Sequence, residues 1–172
     1  MTQEPVNLEI GVGEDKKNSR SLGLDIRRSV NVDILSDARF LPFKDSSIDS
    51  VYAAHVLEHF SHRETGSVIR EWTRVLKPGG SLELRCPDLR IRALLFFFSP
   101  GPENVRNIYG GQEYPENYHR SGFSYGMLKE ILKDCGITCV RRIFDGYKGI
   151  PGIPADLHLT GTKKEEKARR GK

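Results

Sequence analysis

Seven short apolar stretches of β-type composition punctuate the chain, at 6–10, 22–26, 32–35, 48–56, 81–86, 138–144 and 157–162. Between the fourth and fifth lies "SHRETGSVIREWTRVLKPGG", where Val68, Ile69, Trp72, Val75 and Leu76 form one apolar stripe at helical spacing. Ser61 and Glu64 have the spacing of a capping box, and Pro78, Gly79 and Gly80 end that helix. A second helix is signalled by "SYGMLKEILKDCG", with Leu128, Ile131, Leu132 and Cys135 on one side and Gly136 as its stop. Strand and helix alternation of this kind predicts an open α/β sheet in a single domain. Residues 87–122, rich in Gly, Pro, Asn and aromatics, fit no simple crossover and are expected to form an inserted lid or substrate-facing segment.

The first strand runs into a glycine turn: "LEIGVGEDKKNSRSLGLDI", residues 8–26. In an open α/β sheet, ligands collect at the carboxyl ends of the strands, so this loop is the natural site. Gly11 and Gly13 permit close approach of backbone to a ligand. A dinucleotide loop also needs a third glycine and a helix N-terminus for its phosphates, whereas here Glu14 and Asp15 follow. Residues 14–21 reach only about 12 Å as a helix but must retrace a strand of about 17 Å, so an extended or single-turn link is expected. The next link, 27–31, is shorter still, which predicts a trimmed sheet edge. Acids at Glu9, Asp25 and Asp37 suit a ligand bearing hydroxyls, an amine and a positive centre, a description that S-adenosyl-L-methionine meets.

Charge changes this picture little. Of the formal +4, the last ten residues "KKEEKARRGK" carry six basic and two acidic side chains, leaving a body with 21 of each. Residues 1–162 are therefore read as the domain. Residues 163–172 are read as a charged, disordered tail rather than a nucleic-acid or membrane arm. Cys86, Cys135 and Cys139 have neither disulfide nor zinc spacing, and no metal site is predicted. No stretch has the length of a membrane span, and the N-terminus lacks the pattern of a secretory signal, so a cytoplasmic protein is expected.

Two stretches together resemble the class I S-adenosylmethionine-dependent methyltransferases, in particular small members similar to quinone-biosynthesis and surface-glycan methyltransferases. "DARFLPFKDSSIDSVYAAHVLEHF", residues 37–60, resembles that family's Asp-Ala, Leu-Pro-Phe and His-Val-Leu-Glu-His run; "EWTRVLKPGGSLELRCPD", 71–88, resembles its next helix, turn and strand. The resemblance implies a Rossmann-like seven-stranded sheet with shortened first crossovers. It places Glu9, Gly11 and Gly13 on the cofactor loop, and Asp25 and Ile26 at the ribose. Asp37 and Ala38 fall at the adenine, and His55 beside the methionine moiety. The departure from the family pattern is Asp15 in place of the third glycine, with the first helix missing.

The resemblance further implies methyl transfer from S-adenosyl-L-methionine to a small-molecule or glycan-type acceptor, with no nucleic-acid partner. The alternative is a methyltransferase-fold binding or regulatory protein without turnover. His119, in the polar insertion, is the candidate general base, and His55 the other candidate catalytic group. His158, between Leu157 and Leu159, reads as structural. Cys86-Pro87 reverses the Pro-Cys order of DNA cytosine methyltransferases and follows a different strand, so a covalent cysteine mechanism is not expected. Oligomeric state is not legible in the sequence.

Overall fold

A computed structural model describes residues 4–145 and 154–165. Its seven strands are β1 (Asn7–Ile10), β2 (Leu22–Asp25), β3 (Ile34–Leu35), β4 (Ile48–Ala54), β5 (Leu76–Pro87), β6 (Ile137–Arg142) and β7 (Asp156–Lys163). They form one sheet in the order β3-β2-β1-β4-β5-β7-β6, parallel except for β7, which runs antiparallel to both neighbours. The helices are α1 (Thr65–Val75), α2 (Leu89–Phe98), α3 (Pro102–Tyr109) and α4 (Tyr125–Asp134).

The two faces of the sheet differ. Leu8, Ile10, Val51, Ala53, Leu82, Leu84, Leu157 and Leu159 share one face by register and are buried against Trp72 of α1 and Leu128 and Leu132 of α4. The alternate positions, Glu9, Tyr52, Glu83, Arg85 and His158, share the other face and are polar. That face has no apolar stripe to cover, and the link 14–21 crosses from β1 to β2 in turns without a helix. The expected short crossover is therefore present. The trimmed edge is present too, in the two-residue β3.

Local chemistry sets several boundaries. α1 begins at Thr65 because only half of the predicted capping box forms: Ser61 N–H donates to Glu64 Oε2 at 3.2 Å, while Ser61 Oγ accepts from Arg63 N–H. α4 has its Ser124 cap on Met127 N–H and ends at Gly136, with φ of 86°. β5 starts at Leu76, earlier than the apolar pattern predicts, because Leu76 pairs with Ile48 across a register shift. β7 extends through Lys163, whose ammonium donates to the carbonyls of Arg74 and Leu76 at the end of α1. The predicted tail thus loses its first residue to the sheet, and its positions 166–172 lie outside the described residues. Residues 87–122 contain α2 and α3, neither of which buries a side chain.

Candidate active site

The carboxyl ends of β1, β2 and β4 enclose a cavity of about 330 Å³. Its floor is the glycine turn. Gly11, with φ of 72°, donates its N–H to Leu24 O at 2.7 Å, and a Cβ there would meet Val56 Cγ2 at 2.2 Å. Gly13 N–H donates to Asp25 Oδ2 at 3.0 Å, and Arg27 N–H donates to Asp25 Oδ1 at 2.8 Å. Each carboxylate oxygen has a further lone pair, so Asp25 is oriented without being exhausted as an acceptor. Ile26 and Ala38 supply apolar wall. Ala38 is tied to the core, because its carbonyl accepts from Trp72 Nε1 at 2.9 Å. Asp37 faces Arg39, which donates to both carboxylate oxygens. Burial opposes ionisation of Asp37, but those hydrogen bonds outweigh it and hold the carboxyl below its ordinary range. From the insertion, Tyr114 closes the rim, with the Arg27 guanidinium 3.8 Å from its ring centroid.

A glycine floor, an acceptor pair at Asp25 and apolar walls fit the ribose and adenine of S-adenosyl-L-methionine. Asp25 and the glycines would hold the ribose side, and Ile26 and Ala38 the base. Among the described residues no helix follows Gly13, so the loop lacks the N-terminus that a pyrophosphate would use.

Glu9 belongs elsewhere. Its buried carboxylate accepts from the N–H groups of Lys17 at 2.7 Å and Asn18 at 3.3 Å, and it does not line the cavity. Strand alternation points it to the polar face, where it holds the 14–21 link in place of a helix.

His55 lies in the wall shared by this cavity and a second, more open one of about 580 Å³. It takes φ of 54°, a left-handed conformation that turns the chain out of β4 two residues sooner than predicted. Its Nδ1 is 3.2 Å from Glu58 Oε1, and its Nε2 is 3.6 Å from Asp156 Oδ2. The Glu58 hydrogen bond outweighs burial and raises the imidazole above its ordinary pKa. The second cavity is lined by Tyr52, Arg85, Arg92, Asn104, Asn107 and Asp156, none of them singled out by sequence. Arg92 donates to Asp156 Oδ1 at 2.7 Å, and Arg85 is paired with Asp145. The available signal was the alternation of Tyr52 with buried Val51 and Ala53, which marks a polar side of β4 running toward His55.

His119 lines neither large cavity. It sits in a small crevice beside Glu58, with its ring centroid 5.2 Å from that of His59 and its Nδ1 3.2 Å from Ile108 O. Burial pushes its pKa down.

Residues 8–84 match the family described as "Methyltransferase domain". Methyltransferase GfsG of Streptomyces halstedii is 40% identical over 76 residues, which are 44% of this chain and 25% of that protein. The chain therefore spans about a quarter of the length of this curated relative. Among solved structures, a Thermotoga maritima S-adenosylmethionine-dependent methyltransferase, described as a possible histamine N-methyltransferase, superposes with a TM-score of 0.63 at 22% identity. That match covers 95% of this chain and 84% of the other. A Methanosarcina mazei S-adenosylmethionine-dependent methyltransferase gives 0.63 at 19% identity over 96% and 95% of the two chains. With the strand order, these likenesses show that the chain has the fold of the class I S-adenosylmethionine-dependent methyltransferases, and its residues 8–84 match a methyltransferase domain.

Proposed function

We propose that this protein transfers the methyl group of S-adenosyl-L-methionine to a small-molecule or glycan-type acceptor. The observation that carries this reading is the position of His55 in a wall common to two cavities, one fitted to the cofactor and one open to an acceptor. The bound cofactor supplies an electrophilic methyl carbon on a sulfonium, whose carbon–sulfur bond breaks as the acceptor lone pair attacks in line.

The residues of the chain align rather than activate. Asp25 and the glycine floor fix one reactant. Tyr52, Asn104 and Asn107 offer hydrogen-bonding groups to the other. Bringing the reacting atoms to about 3–3.5 Å supplies most of the acceleration in such a reaction. His55, held between Glu58 and Asp156, is the side chain placed to orient the acceptor. Residues 87–122 act as the lid or substrate-facing segment, with Tyr114 at the first cavity and Asn104 and Asn107 at the second. His119 is not carried forward as a base, because its ring is absent from the walls of both cavities.

Calorimetric titration with S-adenosylmethionine, S-adenosylhomocysteine and NAD tests the reading. Saturable binding of the first two and none of NAD is expected, followed by transfer of label from methyl-labelled cofactor to acceptors in a metabolite extract. Absence of S-adenosyl binding would sink it. Binding without transfer would favour the second reading, a non-catalytic binding protein, for which the helix-free 14–21 link speaks.

A further inference from the structure

Glu58 is 1% exposed, and its two carboxylate oxygens differ. Oε1 faces His55 Nδ1, but Oε2 is buried with no hydrogen-bond partner. A buried polar atom left in that state carries a desolvation penalty that some partner must relieve. Two imidazoles approach this carboxylate. His59 is the next residue in the turn Leu57–His59, and His119 arrives from the insertion; one ring nitrogen of each and one carboxylate oxygen all lie within 4.8 Å of one another.

One nitrogen of each ring is already committed. His59 Nδ1 is 3.2 Å from Tyr118 O, and His119 Nδ1 is 3.2 Å from Ile108 O. A carbonyl only accepts, so both Nδ1 atoms carry the proton, and each neutral ring offers its lone pair at Nε2. Imidazoles that bind metal are commonly fixed in this way, with the second ring N–H donated to a backbone carbonyl, and Glu58 is likewise oriented by His55.

We propose that Glu58, His59 and His119 form a binding site for a divalent first-row transition metal ion of the zinc type. Two imidazoles and one carboxylate suit zinc and its neighbours, whereas magnesium and calcium prefer sets of oxygen donors. A tetrahedral ion with bonds of about 2.0–2.1 Å holds its ligands about 3.4 Å apart, so side-chain rotations of about an ångström complete the site. Three protein ligands leave one position for water or another oxygen donor. His59 also lines the cofactor cavity, so the ion would border it. It would further join the turn after β4 to the insertion, where Arg120 and Ser121 already donate their N–H groups to Glu58 O.

The test does not depend on methyl transfer. The untagged full chain, stripped with chelator, is titrated with Zn²⁺ by calorimetry and with Co²⁺ by visible absorption. The expected result is one ion per chain, a four-coordinate Co²⁺ spectrum, and a thermal midpoint that rises with Zn²⁺ concentration. His119→Ala and His59→Gln should each weaken binding by about tenfold or more. His119→Gln keeps a donor for Ile108 and serves if the alanine variant does not fold. No saturable binding by the unsubstituted chain, or equal binding by the folded His119 variants, would overturn the site and leave Glu58 Oε2 to an ordered water.

Discussion

The Lys17 ammonium lies 2.5 Å from Glu83 Oε1, pinning the link between β1 and β2 across the polar face of the sheet to β5. The same ammonium sits 4.0 Å from the Tyr52 ring centroid, between the two strands. Behind it, Glu9 receives the backbone of Lys17 and Asn18. A chain of polar contacts thus does here what a packed helix does on the opposite face.

The buried member of that chain should matter more than the exposed one. Glu9→Ala removes the acceptor shared by the Lys17 and Asn18 N–H groups and should cost about 1–3 kcal/mol in total. Lys17→Ala removes a partly exposed ion pair and should cost about 1 kcal/mol or less. Urea denaturation of the two variants side by side gives the comparison, and an equal loss would remove Glu9 from this role.

Gly11 and Gly13 share a left-handed backbone but not their surroundings. Gly11→Ala forces a Cβ onto Val56 Cγ2, whereas nothing lies within 4 Å of the Cβ position at Gly13. Gly13→Ala should therefore lose only the conformational cost of about 1–2 kcal/mol, and Gly11→Ala clearly more. Adding Val56→Ala should recover stability in the Gly11 variant and none in the Gly13 variant, as read from thermal melting in a double-mutant cycle.

Asp25→Ala tests the cofactor reading directly. Removing a charged acceptor from a ribose pair forfeits about 1.5–3 kcal/mol, or about 10- to 150-fold in affinity for S-adenosylhomocysteine by calorimetry. The melting temperature should change far less than the dissociation constant, since Asp25 lies at a strand end. Unchanged affinity would place the ribose elsewhere.

Trp72, the single tryptophan, links core to site through its bond to Ala38 O. Trp72→Phe leaves that carbonyl without its donor and should cost about 1–3 kcal/mol of stability. Weaker S-adenosylhomocysteine binding should accompany the loss, because Ala38 lines the cavity. In the unsubstituted chain, tryptophan fluorescence should respond to ligand; a silent signal would argue against this coupling.

Asp49 should govern part of the acid limb. Its carboxylate accepts from Lys77 Nζ and from Val6 N–H, and these bonds, that of Lys77 foremost, depress its pKa in the fold. A depressed folded pKa stabilises the protein above the unfolded value of about 4 and ceases to do so as pH falls through the folded value. Asp49→Asn should therefore be less stable than the parent at neutral pH, with the difference closing as pH falls through the folded pKa, so that its stability profile is flatter below about pH 5. Chemical denaturation from pH 3 to 7 reads the difference.

Local pattern was enough for much of this protein. Apolar stretches and their punctuation located all seven strands and the helices α1 and α4, because burial on one face and stops such as Gly136 act within a few residues. The shortness of the 14–21 link excluded a first helix by chain length alone. Gly11, Gly13, Asp25, Ile26, Asp37, Ala38 and His55, which the motif and its spacing assign to a cofactor site, all line one cavity.

Tertiary structure decided which polar groups meet. Glu9 stands beside a glycine turn, which in sequence marks a ligand contact, but strand register turns its side chain to the opposite face. α2 is not legible in the sequence, because "LRIRALLFFF" has no one-sided stripe and its helix buries no side chain. The second cavity, with Tyr52, Arg85 and Asp156 around His55, depends on the pairing of β4 with β5 and of β5 with the antiparallel β7. His119 stands 61 positions from Glu58 in the chain. No local periodicity reports such a separation, so the buried carboxylate beside two imidazoles becomes visible only once the insertion has folded back onto the turn after β4.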